Sequence, residues 1–233
     1  RERFFEDRPG VAGERVPLTI ESWQETEGQP MDLRRANLVK KVLEGVPVRI
    51  FRGQRIVGSP TKYFRGAYPY PDFDASYLKS LLDEDTRTIA MGGQVERAVL
   101  TDEDRVRIAE GIKFWSGKTA VDQAKETART AMGSWYEDLI EAGTMDYDKG
   151  SPAGPLTQFG ICINRGLRSY IAEAEGNIQR WKQSGDDDVE KLWFWKATII
   201  TLEAAITFAG RYAQHAHELA AVEQDPDWRA ELE

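Results

Sequence analysis

The stretch "DVEKLWFWKATIITLEAAITFAGRYAQHAHELAAVEQ" most constrains what this chain can fold into. It reads as one long helix with few polar residues through its middle third, and such a helix is expected to be buried on most sides. Asp186 to Asp188 stand in its first turn, where they favour the helix dipole, and Pro226 is expected to end it. Its most apolar run, "ATIITLEAAITFAG", is about 14 residues long and contains Glu203. That is short of the roughly 18 to 20 residues of a membrane span, so the run reads as a core helix and no membrane partner is expected.

Helix signals dominate the rest. "MDLRRANLVKKVLEG" lines Leu33, Ala36, Val39 and Leu43 along one stripe and stops at Gly45. "DASYLKSLLDED" is a short helix with Asp74 or Ser76 near its start. The stretch from Leu100 to Gly143 holds two or three helices, with Thr101 and Asp104 resembling a capping box. "QFGICINRGLRSYIAEAEGNIQRWKQSG" is expected to run as one helix to Gly185. Two β-branched runs around Arg52-Gly53, within residues 47–58, predict the one short β-hairpin. "PTKYFRGAYPYPDFD" is an extended loop, because its three prolines remove backbone donors.

Charge excludes some functions. Thirty-one basic residues are interleaved with 39 acidic ones for a net charge of -8, so a nucleic-acid partner is not expected. The single cysteine rules out an internal disulfide framework and points to a reducing, cytoplasmic setting. The chain opens on "RERFFEDRPG" without a Met or an apolar leader, as expected of a piece of a longer protein.

Several residues invite chemical readings. Cys162 lies between Ile161 and Ile163 and is expected to pack as a small hydrophobe, with Arg165 the nearest charge that could activate it. His215 and His217 point about 200° apart on a helix and cannot share a metal, so solvated histidines are expected. Trp193 to Trp195 read as packing residues, and "SGDDDVE" reads as a capped helix start rather than a cation site. Gly92-Gly93 belongs to no nucleotide-binding pattern.

Four stretches occur in one order: Glu14-Arg15-Val16 with Glu25-Thr26-Glu27-Gly28 and Arg34-Arg35, then Pro47-Val48-Arg49-Ile50 with Ile56-Val57-Gly58, then "FGICINRGL", then "AAITFAGRYAQHAHELA". From about Glu14 to Ala220 this resembles the front of a glycyl radical enzyme of the pyruvate formate-lyase-like family. The resemblance implies a mainly α fold: residues 1–233 form a single helical N-terminal region of a ten-stranded α/β-barrel enzyme. It also implies that the glycyl radical and the thiyl cysteine lie outside this segment, because neither a Gly-Cys-x-Glu-like nor an Arg-Val-x-Gly-Tyr-like motif occurs here. Implied partners are an S-adenosylmethionine-dependent radical activase, a second copy of the chain and small accessory subunits. Oxygen destroys such a radical, so the implied setting is an anaerobic cytoplasm.

In dehydratase-type members a Gly-His-x-x-x-Asp-Tyr pattern precedes the Asn-x-Gly-Leu turn. Aligning Asn164 to Leu167 with that turn puts Gln158 and Phe159 at the Asp-Tyr pair and Gly154 at the His position. Gly154, Gln158 and Phe159 are thus the candidate substrate-binding residues, in a pocket less polar than a polyol needs. The resemblance then points first to radical addition of a hydrocarbon or aromatic substrate to fumarate, as in aryl- and alkylsuccinate synthases. An arylacetate decarboxylase comes next, then a dehydratase or C–N lyase. A non-catalytic helical scaffold is the alternative of another class.

Overall fold

The computed structural model describes residues 7–54, 56–59, 61–67, 69–83, 88–91, 94–144 and 159–233. It is mainly helical, as expected. In chain order the elements are β1 (Gly10–Val11), α1 (Arg15–Glu25), α2 (Met31–Gly45), β2 (Gly66–Ala67), α3 (Ala75–Leu82), β3 (Thr88–Met91), β4 (Gln94–Arg97), α4 (Asp102–Trp115), α5 (Ala120–Met132), α6 (Trp135–Glu141), α7 (Phe159–Arg165), α8 (Leu167–Ser184), α9 (Val189–Val222) and α10 (Pro226–Leu232).

Helix starts follow local chemistry. Asp74 accepts a hydrogen bond from the Ser76 amide to begin α3, and Thr101 accepts one from the Asp104 amide to begin α4. Thr119 and Asp122 form a full capping box at α5. At α9 the cap is Asp188, and Lys191 bridges Asp186 and Asp188, so "SGDDDVE" is the capped start the sequence suggested.

Among the described residues three apolar clusters join α1–α4, α9 and α10. Val11, Val16, Leu78, Leu81, Ala98 and Ile108 join α1, α3 and α4 to the small parallel pair β1–β2. Leu38, Val42 and Val46 pack with Leu18, Trp23 and Phe208, which sets α2 between α1 and α9. Ala220, Trp228 and Leu232 close α10 back onto the end of α9, with Ile50 beneath them.

Four expectations are corrected. No strand forms among the described residues of 47–58, and α9 side chains pin the chain on either side of that segment: Arg211 donates to Leu43 O at 2.6 Å and Val46 O at 2.7 Å, and Tyr212 donates to Ser59 O at 2.8 Å. A hairpin lies instead at β3–β4, where Met91 faces Gln94, and alternation there is too weak to have marked it. The helix expected to run to Gly185 is two, α7 and α8, because Gly166 adopts φ 72°. Pro226 does not simply end α9: it occupies the first turn of α10, where a missing amide costs nothing.

The fourth correction concerns α9. By length and composition the helix could cross a membrane, with a mean hydropathy of 1.3 over its most apolar window, yet only 6% of that window is buried. The helix is apolar on more sides than α2, α8 and α10 cover, and Phe194 stands 61% exposed. Its polar positions in the second half, Glu203, Thr207, Gln214 and His217, are exposed together, as on a bundle helix with one watered face.

Gly111 offers a test of this packing. A Cβ there would sit 2.5 Å from Val16 Cγ1, whereas one at Gly210 on α9 meets nothing within 4 Å. Both substitutions gain about 1 kcal/mol of helix propensity. At Gly111→Ala, overpacking of about 1–3 kcal/mol outweighs that gain. Thermal unfolding should therefore show a lower Tm for Gly111→Ala and an unchanged or higher Tm for Gly210→Ala. Equal shifts would exclude the α1–α4 close approach.

Candidate functional site

The segment singled out for substrate contact begins at α7. Phe159 opens this helix 68% exposed, and Ile163 one turn later is 79% exposed. Residues four apart share a helix face, so the two form an apolar pair in the open. Gly154 and Gln158 lie outside the described residues. Cys162 is exposed, which corrects the expectation that it packs as a core hydrophobe. The cause is the break at Gly166: α7 is too short and too detached to bury its apolar side. Arg165 does not serve the thiol. Its guanidinium lies over the Tyr170 ring at 4.4 Å and pairs with Glu173 at 2.6 Å, tying α7 to α8.

The residues that carry the family resemblance are mostly clamps. Glu14 reaches Lys62 at 3.5 Å. Arg15 lies over the Tyr70 ring at 4.3 Å and 3.6 Å from the buried Asp72, which also pairs with Arg35 at 2.8 Å. Arg34 stacks 3.8 Å over Trp23 and donates to its carbonyl at 2.8 Å. Arg211 and Tyr212 tie α9 to its neighbours.

The most enclosed charge is Asp104, which sequence reading took only as a cap partner. Its carboxylate is fully buried and accepts from the Gly13 amide at 3.0 Å, Lys62 Nζ at 2.7 Å, Thr101 Oγ1 at 2.7 Å and Arg107 at 3.2 Å. Burial pushes its pKa up, but the hydrogen bonds from Lys62, Thr101 and Gly13 outweigh that and hold it below the usual carboxylate value. Four donors fill its acceptor capacity, so it has none left for a substrate proton. Its role is structural.

Among the described residues no three His, Cys, Asp or Glu side chains gather to hold an ion. His215 Nδ1 lies 3.8 Å from Glu218 on the same face, and His217 points away into solvent. An apolar groove of about 630 Å³ lies between α9, α10 and the segment after α2, floored by Phe208 and Tyr212 and edged by Trp228. Sequence reading missed it because its walls come from three segments far apart in the chain.

A mainly helical fold with fold-fixing clamps at the motif positions agrees with one family. Residues 1–233 match the family model described as pyruvate formate lyase-like, and the chain belongs to that family. It is 30% identical over 251 residues to the isethionate sulfite-lyase of Nitratidesulfovibrio vulgaris, covering 100% of this chain and 28% of that one. Its structure is similar to the glycerol-bound B12-independent glycerol dehydratase of Clostridium butyricum, with a TM-score of 0.82 and 31% identity over 99% of this chain and 29% of the other. A glycyl radical enzyme of Archaeoglobus fulgidus gives a TM-score of 0.80 at 27% identity, covering 97% of this chain and 28% of that one. Other curated relatives are dehydratases and decarboxylases. The chain thus spans about 28% of the length of the curated relatives it matches.

The family implies a glycyl radical passed to a cysteine. Cys162 does not fit that role, because it stands exposed on α7 outside a Gly-Cys-x-Glu setting, so no step is assigned to it.

Asp104 gives a pH prediction. A depressed folded-state pKa contributes stability that is fully present above the unfolded value of about 3.9 and lost as pH falls through the lower folded value. Urea unfolding should show stability falling below about pH 4. Asp104→Asn should cost about 3 kcal/mol at neutral pH and flatten that acid limb. An acid limb unchanged in the variant would assign the dependence to other carboxylates.

Proposed function

We propose that this chain is the helical N-terminal region of a glycyl radical enzyme that removes a small leaving group from its substrate. The observation that carries this reading is similarity over essentially the whole chain to two proteins whose names describe such losses, a sulfite-lyase and a dehydratase. Fumarate addition takes second place, since no aryl- or alkylsuccinate synthase stands among the relatives named above.

Three residues refine the substrate. Phe159, with Gln158 and Gly154 before it, supplies an apolar contact and no ionisable group at the positions aligned with the family's His and Asp. The exposure of Phe159 suits a side chain that meets something other than its own bundle. A substrate less polar than glycerol follows, and this feature also favours an arylacetate decarboxylase. The radical glycine and thiyl cysteine belong to another part of the parent protein. The partners are an S-adenosylmethionine-dependent activase and a second copy of the chain, with small accessory subunits in the fumarate-addition branch, in an anaerobic cytoplasm.

Anaerobic electron paramagnetic resonance on the full-length parent with its activase tests the reading. A glycyl-type doublet is expected. No doublet beside a working control activase would leave the helical scaffold as the better account. Phe159→Ala in the activated enzyme should alter kcat/KM ratios between aromatic and aliphatic substrates, with stability changed by less than about 0.5 kcal/mol, as at exposed sites. Unchanged kinetics with a large fall in Tm would remove Phe159 from the pocket.

A further inference from the structure

α7 and α8 meet at a single residue. Gly166 stands at φ 72° and ψ 155°, a combination open to glycine and hardly to any other residue. A Cβ there would meet nothing within 4 Å, so backbone conformation and not crowding calls for glycine. Its amide closes α7 on Cys162 O at 2.9 Å, and its carbonyl accepts from Ser169 Oγ at 2.9 Å as α8 begins. Hydrogen bonding runs up to the bend from both sides, so the angle between the helices rests on the torsions of one residue.

Among the described elements α8 is the main neighbour of α7. Phe159, Cys162 and Ile163 are exposed and give α7 no core of its own. Arg165 makes two contacts across the bend. It pairs with Glu173 at 2.6 Å, and its guanidinium lies 4.4 Å from the centre of the Tyr170 ring. Neither contact belongs to a straight helix. Residues eight apart on one helix stand about 12 Å apart along its axis, and residues five apart lie about 140° apart around it. Both contacts depend on the bend, and so they favour one angle between the helices.

We propose that Arg165 is a positioning residue: its grip on Glu173 and Tyr170 sets the angle at which α7 leaves α8, and with it where Phe159 stands against the substrate. The proposal rests on the reading of Phe159 as a substrate contact. Arg165 itself need touch no substrate. An exposed pair of this kind contributes little to the stability of a whole fold. Here it acts on a seven-residue helix, too short to hold itself in water, so a small preference decides how α7 is populated. Lysine would keep the charge but lose the planar group that lies over Tyr170.

Hydrogen–deuterium exchange in the full-length parent tests this. Glu173→Ala breaks the pair from outside α7, so the intrinsic exchange rates of amides 159–165 stay as they are. Exchange there should rise about threefold, with Tm unchanged and the rest of the bundle exchanging as before. Salt at about 1 M should raise exchange at 159–165 in the unmodified parent and leave that of Glu173→Ala where it is. Arg165→Glu combined with Glu173→Arg should restore most of the protection. Unchanged exchange at 159–165 in Glu173→Ala overturns the proposal. So does a rise shared by the whole bundle with a fall in Tm, which would make the pair a general prop. In the activated enzyme, Glu173→Ala should shift the aromatic-to-aliphatic kcat/KM ratio in the direction that Phe159→Ala shifts it. A ratio moved by Phe159→Ala alone overturns the positioning role. A ratio moved by neither variant, with local exchange raised, removes Phe159 from the pocket: the substrate half of the proposal then fails with that reading, while the grip of Arg165 on α7 stands.

Discussion

The first half of the structure depends on one carboxylate. Asp104 begins α4 by pairing with Thr101, holds the turn into α1 through the Gly13 amide, and fixes the loop after α2 through Lys62. These three segments are far apart in sequence, and they meet at the buried carboxylate. A buried charge is costly unless its surroundings are polar in detail, and here four donors meet that demand. Lys62 is part of the same arrangement: burial lowers its pKa, but Asp104 and Glu14 raise it overall, so the ammonium is kept. The apolar cluster of Val11, Val16, Leu78 and Ile108 then packs around segments whose mutual positions are already set.

The second half depends on α9. Arg211 and Tyr212 reach from it to carbonyls of residues 43, 46 and 59, and so hold the segment between them as a strap. That strap carries Ile50 to the α10 cluster and forms one wall of the large groove. Removing the fork would free two carbonyls and loosen the groove at the same time.

Local and long-range signals were unequally legible. Helix caps at Asp74, Thr101 and Asp188 could be read because a cap is written in three or four adjacent residues. The strap was misread as a hairpin because β-branched residues at 48, 50, 56 and 57 declare extended backbone but not who pairs with it. Cys162 was misread because flanking isoleucines signal burial only when a second element covers them, and Gly166 removes α7 from such cover. The family was legible because Glu14, Arg15, Arg34 and Arg35 occur in a fixed order, and the structure gives each a clamping partner.

The separation of α7 from α8 at Gly166 has an evolutionary consequence. Phe159 and Ile163 stand in the open, so exchanging them perturbs the bundle little. Residues such as Arg34, Arg35 and Asp104 have no such freedom, because each change would unsettle two or more elements at once. Natural variation in what this region touches can therefore accumulate on one short helix while the scaffold beneath it stays fixed, and new specificity need not await compensating changes in the core.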